Sequence, residues 1–127
     1  MATWRQKAIE SFPSLRQDLN DPEFSIYMLF FELLPMSREA HCRGETKLLD
    51  TIYGFAEWCA NQKAGDLSNA AGVAFYEHLF DRPELWEKVV DRLSPQLVRA
   101  CWPLWERRLE PDRLKELRKL LARKAPQ

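Results

Sequence analysis

The 127-residue chain has few of the residues and motifs that would point to catalysis or metal binding. Its four glycines are too few for the many Gly-rich turns of a β-sandwich. The three cysteines, Cys42, Cys59 and Cys101, are odd in number and lack CxxC spacing, which predicts neither a disulfide framework nor a zinc finger. The two histidines, His41 and His78, form no HExxH motif, and the chain has no phosphate-binding loop and no GxSxG sequence. We therefore expect no metal, no cofactor and no enzymatic activity.

Long apolar runs are also missing. The most apolar run, FSIYMLFFELLPM at 24–36, has 13 residues and includes a glutamate, whereas a membrane-spanning helix needs about 20 apolar residues. The N-terminus, MATWRQKAIESF, contains no apolar signal-peptide core. These absences predict a soluble, cytoplasmic protein in which 24–36 is a buried core helix.

The chain has no net charge, with 19 basic and 19 acidic residues, which disfavours a nucleic-acid partner. The charge is unevenly distributed, however. From Arg107 to the C-terminus there are eight basic and three acidic residues, so this segment carries +5 and residues 1–106 carry −5. The acidic part favours a basic protein as partner. Self-association is the other option, and the oligomeric state stays open.

Proline and apolar spacing predict a series of short helices and no strand. Pro22, Pro95 and Pro111 follow polar residues, and Pro83 is a close variant, as is typical of the first turn of a helix. Apolar residues at helical spacing follow each of them. The predicted segments are about 3–11, 14–20, 22–34, 46–63, 67–80, 83–93, 95–109 and 111–124. The second of them is either a turn or a short helix.

Two internal prolines qualify this series. Pro35 and the polar segment after it are expected to end the third segment, and Pro103 is expected to kink or restart the seventh. The predicted fold is a single all-α domain over 1–127, a compact bundle of about six to seven short helices in antiparallel hairpins or a short HEAT-like stack. The last helix, 111–124, is basic and amphipathic, and docks either on its own chain or on an acidic partner.

The segment VAFYEHLFD at 73–81 places two titratable residues, Glu77 and His78, in an apolar environment. The helix 67–80 is apolar on nearly all sides, which predicts a central position. Glu77 and His78 are then either buried polar groups held by neighbouring helices, the interpretation we favour, or pocket residues with shifted pKa values. The expected partners are the arginines Arg38, Arg92, Arg99 and Arg108.

Tryptophan and arginine supply the candidates for an interaction surface, because these residue types are enriched at binding hot spots. Trp58 lies well off the apolar face of its helix, and three further tryptophans cluster late in the chain. The candidates are Trp58, Trp86, Trp102, Trp105, Arg99, Arg107 and Arg108. The alternative is that the tryptophans are core residues.

Three segments carry a resemblance to other proteins: YGFAEWC at 53–59, FYEHLFD at 75–81 and LSPQLVRACWPLW at 93–105. In these segments the chain resembles a loose family of small, uncharacterised bacterial all-helical proteins, over roughly residues 45–106. Some such proteins look like immunity or antitoxin-type binders. By analogy, the resemblance implies protein binding and supplies no catalytic residues.

The sequence thus predicts a non-catalytic protein-interaction module, with an immunity-type inhibitor of a bacterial toxin as its specific form. Its partner would be another protein of basic charge, with no membrane involved. The alternative is a small-ligand or metal-binding helical domain with a pocket near Glu77 and His78 that includes Cys59. A metal ion would there be held by His41, Cys59 and His78.

Overall fold

The computed structural model describes residues 3–124. Within this range the chain forms eight α-helices and no β-strand, which confirms the predicted all-α class. The helices are α1 (Trp4–Ser11), α2 (Arg16–Leu19), α3 (Ile26–Arg43), α4 (Thr46–Ala60), α5 (Gly65–Ala74), α6 (Trp86–Val90), α7 (Pro95–Arg108) and α8 (Pro111–Lys124). Turns of 3₁₀ helix lie at Pro13–Leu15, Tyr76–His78 and Pro83–Leu85. No helix in the described part of the chain is long and apolar enough to span a bilayer.

Local sequence signals explain where several helices begin and end. The side chains of Thr3, Ser25 and Ser94 each accept a hydrogen bond of 3.1 Å from the backbone N–H three residues later. Each bond satisfies one of the N–H groups that have no partner at a helix start. At the other end of α3, Gly44 has φ 69°, a left-handed conformation that glycine adopts without strain.

The prediction that Pro35 ends its helix is wrong, because α3 continues to Arg43. Pro35 removes the hydrogen bond to the carbonyl of Phe31, but both residues lie on the exposed side of α3, where water can solvate that carbonyl. Pro103 is likewise exposed inside α7, which runs from Pro95 to Arg108 without a restart.

Helix α5 is shorter than the predicted 67–80. It ends at Ala74 because Phe75, at φ −125° and ψ −71°, leaves the helical region, and a 3₁₀ turn follows. The change of path lets successive large side chains reach the core instead of rotating around a helix. Four of them are buried: Phe75, Tyr76, Leu79 and Phe80.

Helices α3, α4 and α5 follow one another along the chain and pack against each other. Asn69 near the start of α5 donates to the hydroxyl of Tyr27 near the start of α3, and Arg38 late in α3 donates to the carbonyl of His78 just after α5, so α3 and α5 run in the same direction. Helix α1 covers α4, and α7 packs on α5 and on the turn at 76–78. Helix α8 docks in cis on α6 and α7, with Leu117 and Leu120 buried. Its basic side remains exposed, and the Lys124 ammonium lies 3.0 Å from the Asp91 carboxylate.

Candidate functional site

Glu77 and His78 lie on the 3₁₀ turn, within a charged cluster, and each side chain is about a quarter exposed (24% and 23%). His78 Nδ1 is 3.1 Å from Oδ2 of Asp81, whereas its Nε2 is 3.9 Å from Glu77. Arg108 donates two hydrogen bonds to the Asp81 carboxylate, at 2.7 and 2.8 Å. Arg38 donates to the backbone carbonyl of His78 at 3.1 Å. Asp81, which the sequence analysis missed, is therefore the centre of the cluster.

This cluster joins α3, the 3₁₀ turn and α7. Burial raises the pKa of Asp81, but hydrogen bonds with Arg108 and His78 lower it, so that the pKa of Asp81 stays below its usual value. The carboxylate is therefore charged at neutral pH and can bridge the two arginines Arg38 and Arg108. The arrangement connects elements of the fold and leaves the imidazole in contact with a carboxylate.

Asp81→Asn should lower the free energy of unfolding by about 2 kcal/mol at pH 7, because hydrogen bonds between charged groups are lost. The amide keeps the size of the side chain but leaves Arg38 and Arg108 close together without their shared counter-charge. Glu84→Gln is the matched control, since Glu84 also faces Arg38 but is exposed. Urea denaturation measures both variants, and equal losses would contradict this role for Asp81.

Two of the four tryptophan candidates are core residues. Trp105 is 0% exposed, and Trp86 is also buried. Their indole N–H groups donate to the carbonyls of Tyr76 and Phe80, both at 2.8 Å. Neither ring is available to a partner, so the prediction that Trp86 and Trp105 lie on an interaction surface is corrected.

The other two tryptophans are partly exposed, but they lie on different helices under basic side chains. The Lys7 ammonium lies 5.3 Å from the centre of the Trp58 ring on α4. The Arg118 guanidinium of α8 lies 4.9 Å from the centre of the Trp102 ring on α7. The structure therefore does not bring the four tryptophan candidates into one patch.

The three arginine candidates also separate. Arg99 lines a cavity of about 350 Å³ between α6, α7 and α8. Arg107 is exposed near the end of α7, and Arg108 belongs to the cluster around Asp81. Among the predicted site residues, Glu77, His78 and Arg108 come together around Asp81, and Trp102 contacts Trp105 with ring centres 6.1 Å apart.

Among residues 3–124, the most exposed large apolar side chains lie on α3, where the sequence predicted only core. Phe31 is 60% exposed and Met28 is 45% exposed. The apolar run at 24–36 covers more than one side of a helix, whereas α3 has core on one side only. A helix with core on one side must expose part of such a run. The width of the apolar run could therefore have predicted exposed apolar residues on α3.

Met28, Phe31 and Pro35 are spaced three and four residues apart, so they form one stripe on the outer side of α3. Glu32 and Glu39 are exposed along the same side. We call these five residues the α3 surface. It combines apolar side chains, carboxylates and a backbone carbonyl, that of Phe31, to which Pro35 has no N–H to donate.

The segment that carries the α3 surface has a small excess of acidic residues. Residues 16–43 contain five acidic residues and three arginines, besides His41. Of these arginines, Arg38 is directed to the cluster around Asp81, and Arg43 forms an ion pair with Glu39 at 2.7 Å on the exposed side. Glu32 is the carboxylate of the α3 surface that forms no ion pair within residues 3–124.

A groove of about 440 Å³ separates α5 from α7 and is lined largely by small and apolar residues. A Cβ added at Gly72 would lie 3.5 Å from Leu104 Cδ1, so the helices approach closely there. Tyr76 forms part of the wall and is almost wholly buried. Its hydroxyl is the one buried side-chain oxygen or nitrogen within residues 3–124 that has no hydrogen-bond partner.

Tyr76→Phe should therefore raise the free energy of unfolding by about 1 kcal/mol, because it removes an unsatisfied buried hydroxyl. Tyr53→Phe is the matched control, since the Tyr53 hydroxyl is hydrogen-bonded to His41 Nε2 at 2.9 Å. Removing this hydroxyl should lower the free energy of unfolding. Thermal and urea denaturation measure both. A loss of stability in Tyr76→Phe as large as in Tyr53→Phe would contradict the assignment.

The described residues do not bring metal-binding side chains together. No group of three His, Cys, Asp or Glu side chains among residues 3–124 is arranged to hold a metal ion. Cys59, which the alternative prediction included, is fully buried in the core.

No curated protein and no solved structure matches the chain. A family model, described as a domain of unknown function (DUF7674), matches residues 5–110. The match begins at the second residue of α1, includes α2 to α7 and stops directly before α8. It extends beyond residues 45–106, which carried the resemblance noted in the sequence. The chain belongs to the DUF7674 family.

Proposed function

We propose that this protein is a non-catalytic protein-interaction module that binds its partner through the α3 surface. The observation that supports this most strongly is the exposure of Phe31 and Met28 on a helix whose other side is buried. Burying a side chain such as Phe is worth roughly 1.5–3 kcal/mol. Apolar patches rimmed by charge are typical of interaction sites, and a partner that covers these two side chains would gain that energy.

The α3 surface is carried by a firmly held helix. Leu29, Phe30 and Leu33, on the opposite side of α3, are fully buried. The cap at Ser25 and the turn at Gly44 define the two ends of the helix. A preformed surface loses little conformational entropy on binding, which favours simple occlusion of the partner's site as the mechanism.

The specific form of the proposal is an immunity-type inhibitor that acts in the cytoplasm and covers the basic site of a bacterial toxin, such as a nuclease. The two exposed carboxylates of the α3 surface, the net charge of −5 on residues 1–106 and the sequence resemblance support it. Long-range attraction between opposite charges would speed association, so the association rate should fall as salt concentration rises.

The double variant Met28→Ser/Phe31→Ser should lose partner binding by about 10- to 100-fold, because exposed aromatic anchors dominate binding energy. Its stability should stay within about 0.5 kcal/mol of wild type, since neither side chain belongs to the core. Affinity purification from cells of the source organism, followed by quantitative mass spectrometry, compares the proteins that each variant retains.

Trp58→Ala is the control, because Trp58 is a partly exposed aromatic residue on a different helix. A partner should be retained by wild type and by Trp58→Ala, and lost from the double variant. Equal retention by both variants, or loss from Trp58→Ala alone, would contradict the proposed role of α3.

A further inference from the structure

We infer that the segment recognised by the α3 surface is a basic amphipathic α-helix that packs lengthwise along α3. This inference rests on the proposed function and specifies the chemistry of the partner. It follows from the spacing of the apolar residues, the position of the carboxylates and the carbonyl next to Pro35.

The spacing of the apolar residues fits a helical partner. Met28, Phe31 and Pro35 follow the alternating three- and four-residue spacing with which one helix meets another. From Met28 to Glu39 the stripe is roughly 16 Å long, at ~1.5 Å per residue, which is about three helical turns. A peptide that binds by adding a strand would need an exposed sheet edge, and residues 3–124 contain no strand.

The carboxylates select a basic helix. Glu32 and Glu39 are seven residues apart and therefore border the stripe on the same side. Lysine or arginine residues repeated every seven positions on a partner helix would meet both of them. The pair between Glu39 and Arg43 is exposed, and exchange of an exposed ion pair costs little.

The carbonyl of Phe31 adds a further acceptor at the middle of the stripe. Pro35 cannot donate to it, and lysine and arginine side chains carry donors but no acceptors. A basic side chain on the partner can therefore satisfy this carbonyl while its stem covers Phe31. Every polar group of the α3 surface thus accepts hydrogen bonds.

The same features disfavour other occupants. The exposed carboxylates of Glu32 and Glu39 would repel the phosphates of nucleic acid or of an anionic membrane, and the carboxylates of an acidic helix. A second copy of this chain would offer the basic helix α8, but its apolar residues Leu117 and Leu120 are already buried in cis. Only its charged side would be available to meet Phe31.

The test uses a display library of 20-residue helical peptides selected on the wild-type protein. Binders to Met28→Ser/Phe31→Ser are removed by counter-selection. We expect the recovered peptides to combine apolar residues at three- and four-residue spacing with an excess of lysine and arginine. Circular dichroism of the two most enriched peptides should show a gain of helix on binding.

Charge-reversed variants then test the contact with the carboxylates. Glu32→Lys/Glu39→Lys should weaken these peptides at least 10-fold in fluorescence anisotropy. Glu87→Lys/Glu106→Lys changes the net charge equally at exposed positions of α6 and α7 and should weaken them less than threefold. Equal weakening by both variants would leave only long-range attraction and would overturn the inference.

The outcomes separate this inference from the proposed function. Peptides that need Met28 and Phe31 but are neutral, acidic or non-helical would overturn the inference and leave the proposed function standing. If no peptide is enriched after the counter-selection, both are overturned.

Discussion

Trp105→Ala should lower the free energy of unfolding by about 4 kcal/mol, as expected when a large buried aromatic is truncated. The Trp105 side chain is wholly buried, and its ring centre lies 4.8 Å from that of Phe80 in an edge-to-face contact. Its indole N–H donates to the carbonyl of Tyr76 at 2.8 Å. Truncation therefore creates a large cavity and leaves a buried carbonyl without its donor.

Trp102→Ala is the matched control, because Trp102 is only partly buried on the same helix and lies next to Trp105. Trp102→Ala should lower the free energy of unfolding by about 1–2 kcal/mol, because folding buries less apolar surface at Trp102 than at Trp105. Urea denaturation followed by circular dichroism measures both. If Trp105→Ala proves too unstable to fold, Trp105→Phe should still lose more than Trp102→Ala. The reverse order would contradict the assignment of Trp105 to the core.

Acidification from pH 7 to pH 4 should remove about 3 kcal/mol of stability through His41 alone, at ~1.4 kcal/mol per pKa unit. His41 is 3% exposed. Burial, and then the positive charges of Arg92 and Lys88, lower the pKa of His41 from 6.5 to about 4. As pH falls below 6.5 the unfolded chain takes up the proton first, so stability is lost down to about pH 4, and this group contributes no further loss below that.

His41→Gln tests this directly, because glutamine can hydrogen-bond to Tyr53 but does not titrate. The difference in unfolding free energy between wild type and His41→Gln should shrink by about 3 kcal/mol between pH 7 and pH 4. Contributions from carboxylates are common to both proteins and cancel in this difference. A difference that does not change with pH would show that His41 is not held neutral by burial.

Local signals were sufficient to predict the fold class and several helix boundaries. Serine or threonine caps and prolines in the first turn act within a few residues, and the helices α1, α4, α7 and α8 lie within three residues of the predicted segments. The end of α5 was not predictable in this way. It depends on Phe75 and Tyr76 reaching a core that other helices build, and no local signal contains that information.

For the candidate site, too, the sequence indicated which residue types take part, but not which of them come into contact. Two of the four arginines expected near Glu77 and His78 are there, Arg38 and Arg108, but which of the four can reach depends on helix packing. Tryptophan composition could not distinguish the buried Trp105 from the partly exposed Trp58, since burial depends on which helices cover each face. Phe31 was missed because an apolar run was assigned to the core as a whole.

The central claim, that α3 carries the binding surface, is tested most directly by photo-cross-linking in the source cells. A benzophenone-bearing phenylalanine analogue replaces Phe31 in one protein and Trp58 in another. The account predicts a cross-linked species of defined mass from position 31 and none of that mass from position 58. No cross-linked protein from position 31, or the same species from both positions, would contradict it.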